Sequence, residues 1–352
     1  MIRFCPQTIA LLEDLERRID PQVEEDFLSQ WLSFLNGKFT GEIFTPKRKT
    51  VTQPGVELTP ININDAIADY ELMLYSQLAG AARALSSPSG LPTVRSNYGT
   101  GIMTSLFGAE VFVMPRETNT LPTTRSFNDT DKIREIMMKG KPDLMTGFGR
   151  NVFEMGEIFA EVLAKYPKVQ QYVHVYHPDT QGPLDICELL WGGEIFYSMY
   201  DEPDFVGDVL TLVTDTYADV LDKWFDMFPC DADMNFHWNL CHRGRILLRC
   251  DSAMNLSPEF YREFAKPYDA RLLAHFGGGA MHFCGRGDHY IADLTSTPGL
   301  TGINMSQPEL NDMEIIYQNT VDKGIPILSF PRHAAEAHAS RPGGFRSLVH
   351  ID

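Results

Sequence analysis

The sequence predicts an α/β fold, a (β/α)8 TIM barrel carrying an N-terminal helical extension. Three observations lead there. From Thr93 onward, short β-like runs alternate with helical segments, a pattern that favours a parallel sheet with crossover helices. About eight such runs can be counted, the number that closes a barrel. The 352 residues suit one large α/β barrel, and no Ser/Gly/Pro-rich linker, low-complexity tract or internal repeat divides them.

Residues 1–90 read as the extension. Apolar positions Phe27, Leu28, Trp31, Leu32 and Leu35 recur at helical spacing across Glu24–Leu35, and Ile67, Tyr70, Leu74, Leu78 and Leu85 do so across 67–85. Residues 91–352 then form the barrel as one structural domain. Its expected strands are Thr93–Tyr98, Val111–Met114, Gln171–Tyr176, Ile246–Asp251, Ala280–Cys284, Leu300–Met305, Ile325–Phe330 and Ser347–Ile351. The helices between them have readable ends. Asp201 is an expected N-cap, Ser257-Pro258 an N-cap and N1 pair, and Asn311 with Glu314 a capping box. Gly324 stands where a helix would stop. The chain ends on an expected strand at Ile351-Asp352, which suggests that a natural C-terminal helix follows.

A formal net charge of -17 argues against a phosphate backbone or an anionic membrane surface as a natural partner. No apolar stretch of about 18 residues is present for a membrane span, and the N-terminus has no signal-peptide core. The six cysteines form no CxxC pair and no disulfide framework, so reduced thiols in a cytoplasmic protein are expected. There is no P-loop, no GxGxxG after a strand and no GxSxG elbow. Phosphoryl transfer, dinucleotide redox chemistry and serine hydrolysis therefore lose support.

In a barrel of this kind the chemistry sits where strands end and loops begin. His282 and Cys284 stand two apart, so a strand would turn both to one face, and imidazole with thiolate is a good zinc pair. The plainer reading is a small buried Cys beside a hydrogen-bonded His. Arg243, Arg245 and Arg249, ahead of Asp251-Ser252, could clamp a carboxylate or phosphate, or could be a solvated loop. His174, Tyr176 and Pro178 share one strand face that leads into Asp179; the His and Tyr could supply a proton donor at the strand end, or the segment could merely shape a pocket.

Several segments, in order, resemble the uroporphyrinogen decarboxylase and corrinoid methyltransferase superfamily. Asp251-Ser252, Leu256-Ser257-Pro258-Glu259-Phe260 and Phe264 to Pro267-Tyr268 resemble its DS…LSPxxF…F..PY segment. Gln181-Gly182-Pro183-Leu184 resembles its Gly-Pro turn, and Ser96-Asn97 with Phe107-Gly108 and Val111 its SD…G..V segment. His282-Phe283-Cys284-Gly285 resembles the HxCG of the zinc-bearing methyltransferases. The resemblance covers roughly residues 90–352 and implies a (β/α)8 barrel with its site in the mouth. The departures weigh against porphyrinogen decarboxylation. The N-terminal arginine-rich motif is missing, the family's catalytic Asp falls on Asn97, its Tyr falls near Leu189, and only its late His is kept, as His350.

What the resemblance implies is zinc-assisted methyl transfer involving a corrinoid, as a methylcobamide:thiol or substrate:corrinoid methyltransferase. Zinc would be held by His282, Cys284 and His350, the last replacing the Cys that is the family's third ligand. The catalytic residues would be His350, Asn97 and Ser252. Asp251, His174, Tyr176, His177, Arg243 and Arg249 would bind substrate. The partners would be a small-molecule substrate and a corrinoid protein, with neither nucleic acid nor membrane. The alternatives are a decarboxylase (carboxy-lyase) acting on a tetrapyrrole or other carboxylated substrate, and a non-catalytic tetrapyrrole-binding protein.

Overall fold

The structure, a computed structural model, describes residues 4–351; Met1, Ile2, Arg3 and the terminal Asp352 lie outside the described residues. Six short parallel neighbours form one arc. β8 (Ile246–Arg249) pairs with β9 (Gly279–Phe283), which pairs with β10 (Leu300–Met305). Single bridges then join Ile303 to Ile327 and Ile327 to Val349. β11 (Val349–His350) completes the arc by pairing with β1 (Ile43–Phe44). A second parallel pair joins β2 (Thr93–Val94) to β5 (His174–Val175). The architecture is thus mixed helix and parallel strand, and among the described residues no backbone ladder joins the pair to the arc.

The alternation of side chains gives the arc two buried faces. Ile246, Leu248, Met281, Phe283, Ile303, Met305 and Val349 belong to the large core shared with the surrounding helices. Leu247, Ala280, Leu328 and Phe44 point the other way, into a smaller core with Phe27, Trp31 and Phe34 of the helix Pro21–Leu35. That helix plugs the inner face at one end. Trp31 is completely buried there, and full burial of a side chain of this size contributes about 1.5–3 kcal/mol. A hairpin of β6 (Asn235–His237) and β7 (Leu240–His242) inserts on the same inner side through Leu240 and Cys241.

Several sequence expectations are corrected. Val111–Met114 yields only β3 (Val111–Phe112), which pairs antiparallel with β4 (Thr123–Thr124) outside the parallel arc. Pro167 starts a helix, Pro167–Tyr172, so the strand expected over Gln171–Tyr176 shrinks to two residues. The run 325–330 keeps a single ladder position because Ser329 takes φ +51°. Ile43 and Phe44, in the stretch assigned to an outer extension, enter the parallel arc itself. Asp201 ends one helix rather than capping the next, Pro203–Met227, and Asp312 rather than Asn311 accepts the N–H groups of Glu314 and Ile315. Ser257 does cap its helix by accepting from the Phe260 N–H. No helix among the described residues is long and apolar enough to cross a membrane.

Candidate metal centre

β9 is buried along its whole length, and its alternation turns Ala280 and His282 to the inner face. Cys284 follows one step beyond the strand. Asp251 stands two residues beyond β8, so both reach the C-terminal end of the parallel arc. The two loops are tied together: Asp251 Oδ1 accepts the backbone N–H of Cys284 at 2.7 Å. His282 Nε2 lies 3.2 Å from Cys284 Sγ and 3.5 Å from Asp251 Oδ1. One ligand atom from each of Asp251, His282 and Cys284 falls within 4.8 Å of the others. Donors around a tetrahedral zinc stand about 3.3–3.8 Å apart, so His282 Nε2 lies close to that spacing from both Cys284 Sγ and Asp251 Oδ1.

A second layer fixes these groups. Asp185, on the helix Pro183–Trp191, accepts the N–H of Asp251 at 3.1 Å and that of Ser252 at 2.8 Å. It is buried, and burial together with the Asp251 charge pushes its carboxyl above the ordinary range. Gly182 brings this helix against β8; a Cβ there would lie 1.9 Å from the Arg249 carbonyl oxygen. On the other side, Asn304 Oδ1 sits 2.5 Å from His282 Nδ1. Burial lowers the pKa of His282, opposed by Asp251, and raises that of the Cys284 thiol. A cavity of about 530 Å³ opens beside Asp251, lined also by Gln181, Asp185, Glu188, Ser252 and Met254.

Arg249 is the ladder partner of His282. Its guanidinium pairs with Asp179, donates to Gln181 at 3.2 Å and lies 4.6 Å from the Trp238 ring centroid. Arg95 holds the other Asp179 oxygen at 2.8 Å, and the Trp238 ring meets His282 edge to face at 5.3 Å. Of the expected site residues, Asp251, Ser252, Arg249, His282 and Cys284 therefore gather at one end of the arc.

The others separate. His350 is not in the metal group: its ring packs 4.3 Å from Trp31, and its Nδ1 accepts the Ser329 N–H at 3.0 Å. Asp251 stands in the third place that was expected of His350. His177 is structural, since its Nε2 accepts the Leu247 N–H at 3.0 Å and its Nδ1 donates to the Pro178 carbonyl at 2.8 Å. That ring fills the place of a ladder bond at the edge of β8. His174 stacks on Phe236 at 3.6 Å, and burial lowers its pKa to about 3. Tyr176 is buried beside His237 and Arg95. Arg243 and Arg245 are exposed and precede β8, at the opposite end from Asp251, so the arginines form no common clamp. The buried Oδ1 of Asn97 finds no hydrogen-bond partner among the described residues.

Asp185, Asn304, Arg95 and Trp238 carry no motif that sequence reasoning singles out. Only Asn304 left a trace there, as a polar residue between the apolar Ile303 and Met305 of an expected strand.

No protein-family model matches the chain, and no curated protein matches it. Its fold is similar to that of a methyltransferase from Methanosarcina mazei, with a TM-score of 0.62 and 17% sequence identity. The match covers 92% of this chain and 91% of that one.

Proposed function

We propose that the chain binds zinc through Asp251, His282 and Cys284 and transfers a methyl group between a corrinoid and a thiol or other acceptor. The observation that carries this reading is the convergence of imidazole, thiol and carboxylate at the end of adjacent parallel strands. Three protein donors leave a fourth position open, the arrangement of catalytic rather than structural zinc. The HxCG resemblance and the fold shared with a methyltransferase support the same chemistry. A bound zinc ion would lower the pKa of a coordinated thiol so that its thiolate predominates near neutral pH.

A methylated corrinoid would supply the methyl carbon as electrophile and leave with the electron pair of the bond that breaks, and the acceptor thiol beside Asp251, His282 and Cys284 would attack as thiolate, its proton released to solvent. Asp251 and His282 hold the reacting group in place, and Gln181, Asp185 and Ser252 form the wall that the substrate meets. Arg249 sets a fixed positive charge one strand away. In this reading the arc and the β2–β5 pair belong to one (β/α)8 barrel, with His177 bridging the seam and the helices of residues 1–90 packed on it. The protein works in the cytoplasm on a small molecule and a corrinoid protein. The decarboxylase alternative is weaker because Asn97 carries no charge and His350 is enclosed by aromatic rings.

The test is zinc-loaded protein mixed with methylcobalamin and 2-mercaptoethanol, followed by the corrinoid spectrum and by mass spectrometry of the thioether. Zinc-dependent demethylation that disappears in Cys284→Ser is expected. Stoichiometric zinc with no methyl transfer to any thiol or from any methylated donor would sink the reading.

A further inference from the structure

A chain of hydrogen bonds runs across the inner face from the metal centre to the last strand. His282 and Asn304 are ladder partners on β9 and β10, and His282 Nδ1 lies 2.5 Å from Asn304 Oδ1. Asn304 Nδ2 donates to the Leu328 carbonyl at 2.7 Å. The Leu328 C=O and the Ser329 N–H belong to one peptide group, and that N–H donates to His350 Nδ1 at 3.0 Å. The left-handed φ of Ser329, +51°, accompanies the loss of regular ladder pairing after Ile327.

The direction of the chain follows from its fixed members. A peptide carbonyl only accepts, so the Asn304 NH2 must face Leu328 and its oxygen must face His282. An amide oxygen only accepts, so the hydrogen of His282 is on Nδ1. Its Nε2 then presents a lone pair, and that atom is the one 3.2 Å from Cys284 Sγ and 3.5 Å from Asp251 Oδ1. At the far end a peptide N–H only donates, so His350 Nδ1 is unprotonated. All the dipoles point the same way, and aligned hydrogen bonds polarise one another.

We propose that Asn304 is a positioning residue that locks His282 in the Nδ1–H tautomer and so keeps Nε2 available as a ligand, with His350 as the far anchor of the same chain. The last step rests on the metal reading above; the tautomer itself is a property of the metal-free chain. This also gives His350 a part in the site without contact with the ion.

The experiment uses the full chain labelled with 15N-histidine, with His282→Gln to assign its signals, and separate zinc titrations. Metal-free wild type should show His282 protonated at Nδ1 alone. Asn304→Leu, which cannot accept, should show mixed or reversed tautomers and bind zinc about 10–100-fold more weakly. Asn304→Asp still accepts from Nδ1–H and should keep the wild-type tautomer and most of the zinc affinity. An Nε2–H tautomer in the wild type, or an unchanged tautomer and affinity in Asn304→Leu, would overturn the proposal. Should Asn304→Leu fail to fold, the wild-type tautomer and Asn304→Ser decide it. If the wild type binds no zinc, the metal reading fails while the tautomer measurement still judges Asn304.

Discussion

The Asp251 carboxylate accepts the backbone N–H of Cys284 at 2.7 Å, which binds the loop after β8 to the loop after β9 and brings two donors to one side of His282. Asp251→Asn and Cys284→Ser should each abolish stoichiometric zinc, because two remaining donors are too few for a catalytic site. His350→Ala should leave the stoichiometry unchanged. Metal analysis after dialysis checks all three, and zinc lost only in the His350 variant would reverse the ligand assignment.

Zinc affinity should rise with pH. A metal-binding cysteine must lose its proton, and burial raises the pKa of the Cys284 thiol above its ordinary value. Protons therefore compete with the ion throughout the neutral range, and one proton should be released on binding at pH 7. Calorimetry in buffers of different ionisation enthalpy measures that number. Zero proton release would mean that Cys284 is not a ligand.

Asp185 acts on the metal group through the backbone it holds and through its charge beside Asp251. Asp185→Ala leaves the buried N–H of Ser252 and that of Asp251 without their acceptor, a cost of about 1–3 kcal/mol. It should also loosen Asp251 and weaken zinc by about 10–100-fold. Gly182→Ala should act on stability by a different cause, since its Cβ would overlap the Arg249 carbonyl oxygen at 1.9 Å. Overpacking of this kind costs about 1–3 kcal/mol. Thermal melting of both variants, with a zinc titration of the first, separates the two causes. An unaltered melting point in Gly182→Ala would contradict the close approach.

The parts of this site that were legible in the sequence are those set by local parity. Leu300–Met305 is a strand over the span the sequence suggests, and the two-residue step from His282 to Cys284 brings both to one group. What depends on the stagger between strands was not legible. Asp251 was read as a substrate contact because nothing local says that β8 ends level with β9. His350 also points to the inner face, but it meets Trp31 rather than His282, and strand parity carries no information about height. Val111–Met114 has a good strand composition, yet composition does not name a partner, and its partner is a local hairpin strand. His177 is offered by the sequence as a substrate contact, because a sequence cannot show that its ring satisfies the Leu247 N–H.

The buried histidines should make the fold sensitive to acid. Burial lowers His174 and His350 to about 3 and His177 and His242 to about 4, from an ordinary value near 6.5. Below about pH 6.5 the unfolded chain takes up protons at these rings and the native chain does not. The unfolded state then binds more protons, so stability increases with pH across this window. It is fully present above pH 6.5 and is lost as the pH falls toward 4, by up to about 1.4 kcal/mol per pH unit for each such histidine. His350→Phe tests one contribution, because a phenyl ring can keep the packing on Trp31 and Phe44 but cannot take up a proton. It also leaves the Ser329 N–H without its acceptor, so the variant should be less stable at pH 7. Its stability should nevertheless fall less steeply than that of the wild type between pH 6.5 and 4.5. Denaturant unfolding at a series of pH values reads both effects. Parallel curves for the two proteins would show that His350 takes up its proton equally in the folded and unfolded chains, and would remove it from this account.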